Sequence, residues 1–277
     1  MHGTPSPSCL ICGASTRPRF TKHLRALEVH YYECSTCHHL TASAFDSAHL
    51  YSQTDYFQST DTGWRQRNKR ILSFLSFFTR VPGIVLSRAS TVIDFGCGIG
   101  QLVEDLIEAG YNGYGYEPYP NTLLESTHVY TDWAALQQEQ IKPTLCTCIE
   151  VIEHLRQPGD VLTKIKQLLP QKGYLLLSTG IYHYREYNED WYYLNPYAGH
   201  VSIFSEQSLR MLLKQHGFKT VFRVNQDVWL FRRSSSLSLL ERFYSFVSQM
   251  RLTLHVRLRS SASPSHQPNA LPTSSCP

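Results

Sequence analysis

Residues 91–100, TVIDFGCGIG, constrain the fold of this chain more than any other stretch, because they join a short apolar run to three closely spaced glycines. The apolar run suits a buried strand, and apolar residues recur at helical spacing after Gly100. Glycines lack a Cβ atom, so the backbone can turn sharply there and a ligand can approach it closely. The pattern therefore predicts a strand, a tight turn and a helix whose free N–H groups face a ligand.

Glu117 supports the interpretation of this turn as a cofactor-binding cradle. It ends a second predicted strand, residues 113–116, where a carboxylate can accept hydrogen bonds from both hydroxyls of a ribose. The glycine spacing is G-x-G-x-G, which differs from the G-x-G-x-x-G of dinucleotide enzymes. The two features together predict a nucleoside site, and a generic strand-turn-helix with an exposed acid is the alternative.

Segment 94–100, DFGCGIG, and the later Glu117 resemble the first motif and the second-strand acid of the class I S-adenosylmethionine-dependent methyltransferases. The resemblance runs over about residues 65–233, and the segment 150–154, EVIEH, is similar to that of ubiquinone-type O-methyltransferases. It implies an α/β fold with a doubly wound, Rossmann-like sheet, and S-adenosylmethionine as the cofactor. The residues that we assign to cofactor binding are Asp94, Gly96, Cys97, Gly98, Gly100, Glu117, Asp132 and Glu150.

Asp132 ends a short predicted third strand, at a position that in the resembled family often contacts the adenine. The same carboxylate could instead cap a helix that begins at Trp133, an arrangement that is favourable without any ligand. The sequence leaves both interpretations open.

Four side chains that follow predicted strands are expected to converge at the carboxyl edge of the sheet and to be catalytic: Glu150, Glu153, His154 and His200. In one interpretation a histidine acts as a general base or orients an acceptor hydroxyl, because imidazole titrates near neutrality. In a second, the group binds Mg²⁺ or Mn²⁺, as the resembled small-RNA 2′-O-methyltransferases do. In a third, Glu150 caps the strand end, Glu153 is solvated and His154 packs under the loop.

The segment between Gly180 and His200 is polar and rich in tyrosine and tryptophan. A loop of this kind above the sheet edge predicts contacts with a substrate, and a folded flap without a ligand is the alternative.

Four cysteines near the N-terminus form two C-x-x-C pairs about twenty residues apart, which is the spacing of a zinc ribbon. They are Cys9, Cys12, Cys34 and Cys37. Four thiolates complete a tetrahedron and leave no open position, so a structural Zn²⁺ is expected. His38 or His39 replacing a thiolate ligand, and a redox dithiol, are the alternatives.

These features predict five segments along the chain. They are a zinc ribbon at 1–40, a linker or lid at 41–63, a class I methyltransferase domain at 64–233, a C-terminal helix at 234–259 and a disordered tail at 260–277.

Composition limits the partners and the compartment. The formal net charge of +4 makes no strong case for nucleic acid, although it permits one. No apolar segment is long enough for a membrane span, no signal pattern opens the chain and the cysteines lack a disulfide framework, so we expect a cytoplasmic protein. The basic, partly apolar stretch 237–258 is expected to pack on the core or on a second subunit as a homodimer, more often than on a membrane surface.

The sequence therefore favours a methyltransferase that transfers a methyl group from S-adenosylmethionine to an oxygen or carbon of a small molecule. One alternative is an RNA 2′-O-methyltransferase that uses a divalent metal. Another is a non-catalytic binding protein that keeps the fold. Sugar C-methyltransferases also carry an N-terminal ribbon, but they have a further C-terminal domain for which too few residues remain here.

Overall fold

A computed structural model describes residues 7–24, 27–43, 63–119, 128–234 and 236–260, with side chains described as far as residue 250 in the last segment. The predicted lid at 41–63 and the predicted tail at 260–277 lie almost wholly outside these residues. Among the helices in this part of the chain, none is long and apolar enough to cross a bilayer.

Among the described residues, the strands of the main sheet are β4 Thr91–Phe95, β5 Asn112–Tyr116, β6 Val129–Tyr130, β7 Leu145–Ile149, β8 Tyr174–Ser178, β10 Phe218–Arg223 and β11 Val228–Arg233. These seven strands lie in the spatial order β10-β11-β8-β7-β4-β5-β6. The pairs from β6 to β8 are parallel, and β11 runs antiparallel to both β8 and β10. The order reverses direction at β4, so the turn after β4 lies at a switch point, where such sheets bind ligands.

Helices cover both faces of the sheet. Their bounds are α1 Trp64–Phe78, α2 Gln101–Glu108, α3 Trp133–Gln138, α4 Pro158–Leu168, α5 Glu206–Gln215 and α6 Leu239–Ser260. Leu75 of α1 and Leu106 of α2 are buried in one apolar core, whereas Ile165 of α4 and Leu209 of α5 are buried in the other. The predicted doubly wound, Rossmann-like fold is therefore confirmed.

The N-terminal ribbon is a second sheet, formed by β1 Thr16–Leu24, β2 Leu27–Cys34 and β3 Leu40–Ala42. Its last strand pairs antiparallel with β9, Ser202–Ile203, which belongs to the segment after β8. Tyr31 and Leu40 of the ribbon share a third apolar core with Tyr182 and Val201 of that segment. The ribbon is thus joined to the segment after β8 through strand pairing and side-chain packing.

Candidate active site

The glycine turn after β4 forms an open cradle. Gly96, Gly98 and Gly100 all have positive φ angles, of 78°, 55° and 83°, which residues with a side chain rarely adopt. A Cβ atom on Gly96 would lie 2.6 Å from Cγ2 of Val151, so the turn packs tightly against the loop after β7. A Cβ atom on Gly98 would meet no atom within 4 Å, so that side of the turn is open to a ligand.

Glu117 lies beside the cradle at the end of β5. One of its carboxylate oxygens accepts a hydrogen bond from the Gly98 N–H at 3.0 Å, and the other accepts from the Tyr119 N–H at 2.9 Å. Burial raises the pKa of the Glu117 carboxyl above its ordinary value. The Glu117 carboxylate and the open glycine turn therefore fit a nucleoside whose ribose hydroxyls would donate hydrogen bonds to this carboxylate.

Asp94 and Cys97, both assigned to the cofactor by resemblance, are buried beneath the turn. The Thr147 hydroxyl donates to Oδ1 of Asp94 at 2.6 Å and so joins β4 to β7. Burial raises the pKa of Asp94 to about 7, and burial also raises the pKa of the Cys97 thiol. The side chains of Asp94 and Cys97 therefore point into the protein interior, while the glycine backbone lines the open side of the cradle.

Asp132 caps α3, because its side chain accepts a hydrogen bond from the Ala135 N–H at 2.8 Å. This is the capping arrangement that the sequence left open beside an adenine contact. The adenine contact stays a prediction.

Glu150 follows β7 directly and has a φ of +55°, a left-handed conformation that is uncommon outside glycine. Its carboxylate accepts hydrogen bonds from the Ser178 hydroxyl at 2.5 Å and from the Tyr193 hydroxyl at 3.1 Å. Unusual backbone angles of this kind concentrate at functional sites, where the surrounding structure holds them.

Glu153 is 0% exposed, so the alternative in which this residue is solvated is wrong. The reason is that Tyr193 and Thr179 cover it, with hydroxyl oxygens 2.5 Å and 2.9 Å from its carboxyl oxygens. Burial and the nearby charge of Glu150 raise the pKa of Glu153 well above its ordinary value.

The Tyr193 hydroxyl contacts both acids but carries a single proton. The network is satisfied when Tyr193 donates to Glu150 and a protonated Glu153 donates to the Tyr193 oxygen. The raised pKa of Glu153 agrees with this arrangement, so Glu153 is the protonated acid and Glu150 the carboxylate of the pair.

His154 and His200 lie side by side, with ring centroids 4.9 Å apart. Nδ1 of His200 lies 2.7 Å from the Tyr193 carbonyl oxygen, to which a ring N–H donates, so Nε2 is left as the proton acceptor. Burial lowers the pKa of His200 to about 3 and that of His154 to about 4. Both rings are therefore neutral near pH 7.

The structure thus brings together the four residues predicted at the sheet edge. Ligand atoms of Glu153, His154 and His200 lie within 4.8 Å of one another, a set of one oxygen and two nitrogens that suits a divalent transition metal better than Mg²⁺. The oxygens of both acids are already hydrogen-bonded, those of Glu150 to Ser178 and Tyr193 and those of Glu153 to Thr179 and Tyr193.

Three hydroxyl residues complete this network and were not singled out from the sequence. They are Ser178, Thr179 and Tyr193. The first two form a polar pair at the end of an otherwise apolar strand, which is a recognisable signal. Tyr193 was one of several aromatic residues in its loop, and nothing local in the sequence distinguished it.

A cavity of about 280 Å³ lies between the aromatic loop and the ribbon. Trp191, Tyr192 and Tyr197 line it from the loop, and Lys22 and His23 line it from β1. The ribbon therefore forms part of the wall of this cavity.

The four ribbon cysteines fit a tetrahedral zinc ion. Their sulfur atoms all lie within 4.8 Å of one another, with contacts of 3.4 Å between Cys12 and Cys34 and 3.6 Å between Cys9 and Cys37. Sulfurs 2.3 Å from a tetrahedral zinc ion are about 3.8 Å apart, whereas a disulfide needs about 2.05 Å. Backbone N–H groups of Ile11 and Thr36 point at two of the sulfurs, as in paired metal-binding knuckles.

Residues 63–222, more than half of the chain, match the family described as a methyltransferase domain. The chain belongs to this family. The resemblance to class I S-adenosylmethionine-dependent methyltransferases is thereby confirmed.

Two curated relatives are ubiquinone biosynthesis O-methyltransferases. The protein from Glaesserella parasuis serovar 5 (strain SH0165) is 30% identical over 104 residues, which cover 32% of this chain and 44% of that protein. The protein from Paraburkholderia phytofirmans is 33% identical over 101 residues, with the same two coverages. The matched region therefore spans less than half the length of these relatives.

Two solved structures are also similar. Magnesium protoporphyrin IX methyltransferase from Synechocystis PCC 6803, with bound SAM, has a TM-score of 0.44 and 19% identity, covering 69% of this chain and 99% of that chain. The 1,6-didemethyltoxoflavin-N1-methyltransferase of Burkholderia thailandensis has a TM-score of 0.46 and 16% identity, covering 78% and 99%.

Proposed function

We propose that this chain is a methyltransferase that uses S-adenosylmethionine and acts on an oxygen or carbon atom of a small molecule. The observation that carries the proposal is the open glycine turn with Glu117 bound to its Gly98 N–H. Family membership and the ubiquinone-type relatives support it. S-adenosylmethionine, when bound, supplies an electrophilic methyl group.

In this proposal the cradle backbone and Glu117 hold the cofactor, and the polar network at the sheet edge handles the acceptor. Nε2 of His200 accepts a hydrogen bond from an acceptor hydroxyl and so orients it, since the Tyr193 carbonyl keeps the other ring nitrogen protonated. The buried Glu153 and Tyr193 and the half-buried Glu150 hold the residues around this ring in place through their hydrogen bonds. Burial lowers the pKa of His200 to about 3, so the ring stays neutral and Nε2 stays a hydrogen-bond acceptor.

Methyl transfer can be measured as release of S-adenosylhomocysteine with a panel of phenols, sugars and carbon acids. We expect turnover with at least one acceptor class, and a His200→Ala variant that binds S-adenosylhomocysteine normally but turns over at least tenfold more slowly. Turnover by the variant at the wild-type rate would contradict the role of His200. Normal cofactor affinity without turnover on any acceptor would favour the non-catalytic binding protein.

A metal-assisted reaction is a second candidate, because Glu153, His154 and His200 offer three ligand atoms in one place. It predicts that Mn²⁺ binds the zinc-loaded protein and that His154→Ala loses this binding. Electron paramagnetic resonance of added Mn²⁺ distinguishes the two candidates, since a histidine that only orients the acceptor hydroxyl leaves all the Mn²⁺ free.

A further inference from the structure

Helix α6 turns an apolar stripe toward solvent. Leu239, Phe243, Phe246 and Met250 are 84%, 60%, 62% and 53% exposed. Their spacing of four, three and four residues places them in one line along the helix. Helices of globular proteins normally bury such a stripe against the core, whereas the described side chains of α6 expose it to solvent.

The opposite face of α6 meets the protein through Tyr244, which packs against an apolar core, and through polar side chains. Glu241 is fully buried there and forms an ion pair with Arg232, and its carboxylate also accepts from the Ser238 N–H at 2.8 Å. Farther along, the Ser248 hydroxyl accepts from the Arg223 N–H of β10 at 3.2 Å. Rotating the helix to bury its apolar stripe would unpair a buried carboxylate, so the observed orientation is held in place.

The net charge of the chain is concentrated in the same segment. No Asp or Glu follows Glu241, whereas four arginines do: Arg242, Arg251, Arg257 and Arg259. The chain has 26 basic and 22 acidic residues, so the part before Arg242 is formally neutral. Arg242 is itself exposed beside the apolar stripe.

We propose that the outer face of α6 docks onto an anionic lipid bilayer. Exposed phenylalanine, leucine and methionine side chains can enter the boundary between head groups and acyl chains, and arginines attract anionic head groups. A second copy of the chain would bring two acid-free, arginine-bearing segments together, which like-charge repulsion opposes. This inference does not depend on the methyltransferase activity.

The full-length, zinc-loaded protein can be sedimented with vesicles of phosphatidylcholine mixed with phosphatidylglycerol, and with vesicles of phosphatidylcholine alone. We expect binding to the mixed vesicles that weakens as salt rises, and little binding to the neutral ones. A double variant, Phe243→Gln with Phe246→Gln, should partition roughly a hundredfold more weakly. Leu10→Gln, a change at an exposed ribbon leucine, is the matched control and should bind like the wild type.

Cofactor affinity and thermal unfolding of the double variant should match the wild type, because both side chains are exposed. Equal vesicle binding by the double variant and the wild type would overturn the proposal, and so would equal binding to neutral and anionic vesicles. A dimer that forms without lipid and is lost in the double variant would also overturn it, in favour of a second copy of the chain.

Discussion

At the scale of single residues, the Tyr193 hydroxyl is the centre of the network at the sheet edge. It lies between Glu150 and Glu153, and its own backbone carbonyl accepts the ring N–H of His200. One aromatic residue therefore positions two acids and one imidazole. Loss of the Tyr193 hydroxyl should disturb the acids and the imidazole that face the methyl acceptor, and it should leave the glycine cradle intact.

We expect Tyr193→Phe to lower kcat by about tenfold to a hundredfold, because the buried Glu153 and the half-buried Glu150 each lose a hydrogen-bond partner. The same loss should destabilise the protein by roughly 1–3 kcal/mol. S-adenosylhomocysteine affinity should not change. Tyr192→Phe, at the exposed neighbouring position, is the control, and equal kcat values for the two variants would show that the Tyr193 hydroxyl has no such role.

Asp94 gives a pH-dependent prediction. Its folded-state pKa of about 7 exceeds the unfolded value of about 3.9, so the folded protein binds the extra proton between these pH values. The contribution of Asp94 to the free energy of unfolding is therefore greatest at low pH, and it is lost as the pH rises through 7. Relative to Asp94→Asn, the wild type should lose up to about 1.4 kcal/mol per pH unit across this window. Denaturant unfolding at several pH values measures it, and parallel curves for the two proteins would contradict it.

At the scale of elements, the ribbon braces the segment that carries His200. The Tyr31 hydroxyl donates to the His200 carbonyl oxygen at 2.7 Å, and the Arg156 guanidinium donates to the carbonyl oxygens of Ala42 and Ser43 at 3.1 Å and 2.9 Å. The Ser205 hydroxyl donates to the Cys37 carbonyl oxygen at 2.5 Å. The fold of the ribbon therefore bears on the acceptor side of the site.

Removal of this brace should slow turnover without weakening cofactor binding. We expect Tyr31→Phe to lower kcat several-fold while S-adenosylhomocysteine affinity stays at the wild-type value, since the cradle lies on β4 and β5. Tyr32→Phe, on the other face of the same strand, should behave like the wild type. A Tyr31→Phe variant with unchanged kcat would indicate that the ribbon does not position His200.

Metal removal tests the same coupling more strongly. We expect one zinc ion per chain by elemental analysis, and none in a Cys34→Ser variant. Loss of the metal should unfold the ribbon and, through β3 and β9, disorder the segment around His200. A variant without zinc that retains full turnover would contradict this.

Local patterns predicted what depends on local geometry. The strand, the glycine turn and the helix from 91 onward were predicted because their residue types dictate backbone angles, and the capping role of Asp132 was one of two interpretations for the same reason. The burial of Glu153 was missed because Tyr193, forty residues later, covers it. The pairing of β3 with β9 joins residues about 160 apart, and no local pattern reports such a contact.

At the scale of the whole molecule, charge makes no strong case for the RNA alternative. The part of the chain before Arg242 is formally neutral, and Arg67 and its neighbours on α1 are offset by acids elsewhere. Nucleic-acid affinity depends on the release of counterions by a basic surface. We expect no retention of small RNAs at physiological salt, and tight, salt-dependent RNA binding in a filter assay would favour RNA methylation instead.

Every catalytic role proposed for this chain depends on binding of S-adenosylmethionine by the glycine turn and Glu117. Calorimetric titration of S-adenosylhomocysteine into the zinc-loaded protein measures this binding, beside Glu117→Ala and a control, Glu108→Ala, that removes an exposed acid from the end of α2. We predict binding to the wild type and to the control, and at least tenfold weaker binding to Glu117→Ala. No binding to the folded wild type, or equal binding to both variants, would show that the glycine turn and Glu117 are not the cofactor site.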